Sequence, residues 1–184
     1  MGFRCHDQGG EVNPADELRH LENGALPGER AEGVGVVELY VLCDGLGEEL
    51  LSKSRDVLAV VVRHSARRWP TFQEWRKLLP VWFVDQCAAE RTKEQAEARA
   101  AWKYNLPPAE RSRVTLDEAW MLSAWLFHFE PERREWYWWD AAVVDDDQVT
   151  VRLQVQGWPF PWEALRWLLR AAGARVARME GEGG

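Results

Sequence analysis

The chain has little with which to build a covalent or metal-held framework. Its three cysteines, Cys5, Cys43 and Cys87, are far apart and odd in number, so neither a disulfide scaffold nor a CxxC zinc knuckle follows. The four histidines, His6, His20, His64 and His128, show no i, i+4 pairing with one another or with a cysteine, which argues against zinc. No GxGxxG, P-loop, GxSxG or HExxH stretch occurs, and the best-marked nucleotide, hydrolase and metalloprotease readings go with them. No cofactor or metal is expected. Long apolar runs are also missing: the longest uncharged one, Val57 to Val62, is far too short to span a bilayer. Residues 1–33 lack the apolar h-region of a signal peptide, so the expectation is a cytoplasmic protein without membrane contact. A basic surplus is lacking as well. The net charge is −7, of which residues 1–33 carry −4 and residues 174–184 nothing. The rest is mildly acidic, which gives no electrostatic reason to bind nucleic acid and permits a basic protein partner.

Tryptophan, in contrast, is abundant: 12 in 184 residues. The run Trp136-Tyr137-Trp138-Trp139-Asp140 puts four aromatics in five positions, so on a strand they must serve two faces. Indoles that are not buried usually contact a partner.

Along the chain, residues 1–33 mix Gly, Glu, Asn, Pro and Arg with few large apolar residues, and read as a flexible acidic tail with a possible helical turn at Ala15 to Leu21. Residues 174–184 read as a second tail, leaving one α+β domain over 34–173. Val34 to Cys43 has slightly more strand than helix character. Leu46, Leu50, Ser54, Val57 and Val61 then repeat at helical spacing, which favours a helix over a short buried strand within 46–62. Thr71 with Glu74 is a capping box that opens a helix up to Pro80, and a second helical stretch follows from Val81. Ala88 to Ala101 has few large apolar residues and reads as solvent-facing. Pro107-Pro108 ends that unit, and Thr115 with Glu118 makes another capping box, predicting a helix over Leu116 to Phe129.

The strand-formers Trp136 to Val144 and Val149 to Val155 flank Asp145-Asp146-Asp147-Gln148 and predict a β-hairpin. Val149, Val151, Leu153 and Val155 face one way, and Thr150, Arg152, Gln154 and Gln156 the other. With Val144 opposite Val149, Trp136, Trp138, Asp140 and Ala142 join the apolar face, while Tyr137 and Trp139 lie beside Arg152 and Gln154. A one-residue shift exchanges these sets. Trp158-Pro159-Phe160-Pro161 makes a rigid aromatic turn into a last helix that ends at Gly173. Its core side is Trp162, Leu165, Leu168, Leu169 and Ala172, and its polar side includes Arg166.

The function expected from this pattern is non-catalytic binding of another protein, as by an inhibitor, immunity-type or antitoxin-type partner, through a Trp/Arg-rich surface. The residues expected to bind are Tyr137, Trp139, Arg152, Gln154, Trp158, Trp162 and Arg166. One alternative is a carbohydrate or small-molecule module that stacks its ligand on Trp139, Trp158 or Trp162. Another is an enzyme that uses Asp140 or His128 with Arg133 or Arg134. The trio Cys5-His6-Asp7 has the residue types of a nucleophilic site but no preorganisation, and Asp145 to Asp147 lack the glycine and distal Glu of a calcium loop.

Overall fold

The computed structural model describes residues 12–31, 35–65 and 67–180. In chain order the elements are α1 (Pro14–Asn23), β1 (Gly35–Leu42), α2 (Gly47–Ser65), α3 (Phe72–Leu78), α4 (Val81–Gln86), α5 (Lys93–Tyr104), α6 (Pro108–Asp117), α7 (Leu122–Phe127), β2 (Trp136–Asp145), β3 (Gln148–Val155), α8 (Glu163–Ala172) and β4 (Val176–Met179). The fold is α+β, as the sequence indicates. The four strands form one antiparallel sheet in the order β2-β3-β1-β4, so the expected hairpin is half of a larger sheet.

One face of that sheet is the core. Leu39 and Val41 of β1, the alternating Val149, Val151, Leu153 and Val155 of β3, and Ala177 of β4 are all buried there. Against them lie α2 and α8. The helical period wins over residues 46–62: Leu50, Leu51, Val57, Leu58, Val61 and Val62 are buried. Ser54 sits on the same stripe, and its hydroxyl donates to the Leu50 carbonyl at 2.8 Å, so no polar group is stranded. The expected core side of α8 is buried in full, together with Trp167.

The register of β2 differs from the expected one. Trp136 pairs with Val155 and Trp138 with Leu153, but the next β3 residue, Arg152, pairs with Asp140, which leaves Trp139 as the extra residue of a β-bulge. A second irregularity lies between Val143 and Asp145. The bulge keeps Trp136 and Trp138 inward and swaps the sets beyond it: Ala141 and Val143 face the core, and Asp140 stands across from Arg152 on the outer face. Asp140 therefore does not point into the core, and Val143, not Val144, opposes Val149. The cause is a single inserted residue, which inverts the side chains from Asp140 to Val143.

Within the two segments read as tails, Pro14–Asn23 and Val176–Met179 belong to the fold. Helix α1 packs on α2 and β2, with Leu21 in the core and Glu17 buried. It is capped by Asn13, whose side chain accepts the Ala15 N–H at 3.0 Å. Strand β4 adds to the edge of β1. The helix expected over Leu116 to Phe129 is also divided. Pro108 fits the first turn of α6, where its missing N–H costs nothing, so the helix begins there and ends at Asp117. Thr115 thus falls inside α6 and caps nothing, and α7 starts separately at Leu122. The Thr71/Glu74 capping box forms as expected.

Candidate protein-binding surface

The structure scatters the residues that the sequence grouped together. Trp139 is 8% exposed and Trp162 and Gln154 are buried, so none of the three offers a face to a ligand. Trp139 is covered by α1, whose His20 ring lies 4.5 Å from it. Trp162 carries Arg166 over its ring at 5.3 Å. Tyr137 is half-buried beside the Arg134 guanidinium, 5.1 Å from its ring. Arg152 lies on the outer face of the sheet between two carboxylates, Glu38 at 2.9 Å and Asp140 at 3.9 Å. Of the expected indoles only Trp158 is open, at 63% exposure, and its neighbour Phe160 turns an edge to it.

The proposed catalytic groups are not brought together. Asp140 faces Arg152 and Gly24. His128 caps the end of α7, ringed by Trp120 and Phe127. Burial pushes its imidazole below the ordinary value, with Glu163 opposing and Arg133 adding to the shift. Arg133 binds Glu130 at 2.9 Å and stacks on Phe127 at 3.9 Å, while Arg134 is bound to Glu17. Burial pushes the Cys87 thiol up to about 12, and the sulfur donates to the Phe83 carbonyl, both of which favour the thiol over the thiolate. Cys5-His6-Asp7 lies outside the described residues. Among the described residues no group of three or more His, Cys, Asp or Glu side chains could hold a metal ion.

Exposed aromatics gather elsewhere, on the arm formed by α5 and α6. No residue of α5 is buried. Trp102 is 43% exposed and Tyr104 76%. Each lies under an arginine: Arg99 is 4.0 Å from the Trp102 ring centroid, and Arg111 5.3 Å from that of Tyr104. Helices of 10 and 12 residues are marginal in water without a packed face, and polar ties hold these two. A capping box of Thr92 and Gln95 starts α5. Arg111 of α6 donates to the carbonyls of Tyr104, the last residue of α5, and of Leu106 just beyond it, at 2.7 and 3.1 Å. Glu118 gathers Arg91 at 2.9 Å, Arg99 at 3.1 Å and Lys103. Burial works against the Glu118 charge, and Lys103 leads the cations that outweigh it and hold the carboxyl below its usual range.

Between α5 and the strand-like stretch before it runs a groove of about 630 Å³, floored by Ala88, Ala89 and Ala98 and walled by Trp102 and Arg99. The solvent-facing reading of Ala88 to Ala101 matches this arm, and the aromatics Trp102 and Tyr104 follow that stretch. The signal was available: Trp102 and Tyr104 end a helix that has no other large apolar residue, so the helix offers them no stripe to join. The chain matches no family model, and no curated protein or solved structure matches it either.

Proposed function

We propose that this chain is a non-catalytic protein-binding domain, of the inhibitor, immunity or antitoxin kind, and that its α5–α6 arm makes the contact. One observation carries the reading: α5 buries none of its residues and presents Trp102 and Tyr104, each with an arginine over its ring. Trp, Tyr and Arg dominate binding energy at interfaces, and rings already fixed by a stacked cation lose little freedom on docking. The Trp/Arg surface that the sequence suggested is thereby moved from the hairpin to the arm. A sugar-stacking reading keeps only Trp158 of its three rings, since Trp139 and Trp162 lie inside.

The test is a photo-reactive benzophenone amino acid placed at Trp102, at Tyr104 or, as a control, at the exposed Val36 of β1, followed by irradiation in the native host. A single adduct of defined mass at 102 and 104 but not at 36, abolished by unlabelled wild-type chain, is the expected result. Equal labelling at all three positions, or none at the arm, overturns the proposal.

A further inference from the structure

The carboxylate of Glu17 is 2% exposed and is held entirely by groups of the β2 edge. Arg134, just before the strand, donates through Nη1 to Oε2 at 2.8 Å and through Nη2 to Oε1. The backbone N–H of Trp138 donates to Oε1 at 2.8 Å. That amide faces away from β3, because the Gln156 N–H bonds to the Glu135 carbonyl and so sets the alternate residues Trp136 and Trp138 outward in their hydrogen bonding. A forked arginine with a backbone N–H alongside is the donor set that recognises a carboxylate.

Arg134 is packed against aromatic rings as well as bound to Glu17. The Arg134 guanidinium is wedged among the rings of Trp136 at 5.0 Å, Tyr137 at 5.1 Å and Phe129 at 5.6 Å, and its buried Nε has no hydrogen-bond partner. The rings fix the fork while its two outer nitrogens reach outward. A cleft of about 480 Å³ opens against the pair, between the start of α1 at Asn13, Pro14 and Glu17 and the groups Phe129, Arg134 and Tyr137. Further along, the edge is again met by a side chain and not by a strand: Arg55 donates to the Ala141 carbonyl at 3.1 Å. The β2 edge is thus covered by side chains of two helices, Glu17 of α1 and Arg55 of α2, where a fifth strand would lie.

We infer that Arg134 and the Trp138 amide form a carboxylate-binding site which Glu17 fills in cis, and that an extended peptide bearing a carboxylate exchanges for Glu17 and pairs with β2 as α1 lifts. This site stands apart from the α5–α6 arm, and either can fail without the other. The partner is a strand, because the amide that Glu17 satisfies belongs to a strand edge. It is acidic, because a buried, fixed arginine left without its carboxylate is strongly disfavoured.

The full-length E17A chain tests the site with acetate against chloride at equal ionic strength. At tenfold its dissociation constant, acetate is expected to raise the E17A melting temperature by about 3–6 °C and to leave the wild type unmoved. The R134M change in the same chain is expected to remove the effect. If E17A does not fold in chloride, refolding in acetate gives the same answer: recovery supports the site, and failure in both salts overturns it. Seven-residue Val/Thr peptides with a central Glu or Gln, each with a free or amidated C-terminus, then separate a side-chain from a terminal carboxylate on E17A. The peptide lacking the recognised group should bind about 10- to 100-fold more weakly. Equal affinity for all four, or no binding, overturns the inference, as does a folded E17A that melts identically in both salts.

Discussion

The imidazole of His20 lies against the indole of Trp139, ring centroids 4.5 Å apart and planes inclined at 55°. The extra residue of the β2 bulge is thereby covered by a helix from the other end of the chain. The bulge pushes one large ring off the inner face, and α1 supplies the surface that buries it. Trp139→Ala is expected to cost about 3 kcal/mol, read from urea unfolding, since it removes a nearly buried indole. A loss below 1 kcal/mol would mean that α1 does not seat on the bulge in solution.

Gly24 ends α1 at φ 73°, and a Cβ there would lie 2.5 Å from Asp140 Oδ1. Gly24→Ala is expected to destabilise by about 1–3 kcal/mol from backbone strain and the clash together. Adding Asp140→Ala should recover the clash and leave the strain, a coupling visible in a double-mutant cycle. Strict additivity would show that the two residues do not approach.

Trp102→Ala and Tyr104→Ala are expected to leave stability within about 0.5 kcal/mol, as exposed substitutions do. Trp125→Ala, at a fully buried indole whose Nε1 donates to the Ala164 carbonyl, should cost about 3–5 kcal/mol by the same melts. Comparable losses at 102 and 125 would place the arm's aromatics in a core.

Glu29 ties the segment after α1 to the helix, through Arg19 first, then the Leu26 N–H and His20, and these partners lower its carboxyl from 4.5 to about 2. A depressed carboxyl supports the fold above pH 4.5 and loses that support as pH falls from there to about 2. Solvent reaches this group, so the contribution is small. Glu29→Gln is expected to flatten the pH dependence of the melting temperature in that window alone, and an unchanged slope would remove Glu29 from the acid response.

Local patterns carried much of the fold into the sequence. The stripe of α2, the Thr71/Glu74 box and the inward set of β3 each rest on neighbours a few residues apart and form as read, whereas Thr150 and Gln154 on the other face of β3 are buried and not wet. The elements that were misread depend on distant partners. α1 looks like a tail because it has few apolar residues; its place is fixed by Leu21 and by the buried Glu17, whose partner is 117 positions away. The bulge at Trp139 leaves no mark in composition, and it decided which of the grouped site residues face out. Thr115 with Glu118 matched a capping pattern, but Glu118 instead binds three cations from α5 and its approach. The hairpin rings went inside for the same reason that they stood out: large rings fill cores as well as they fill interfaces.

The 117 positions between Glu17 and Arg134 also set a schedule. At 5–20 residues per second, a ribosome takes about 6–23 s to pass from one to the other. The chain segment of α1 is therefore synthesised before the hairpin, and the margin of β2 has its cover at hand when it folds. A sheet margin left waiting invites neighbouring nascent chains to pair with it, and here the order of synthesis makes the cover wait for the margin.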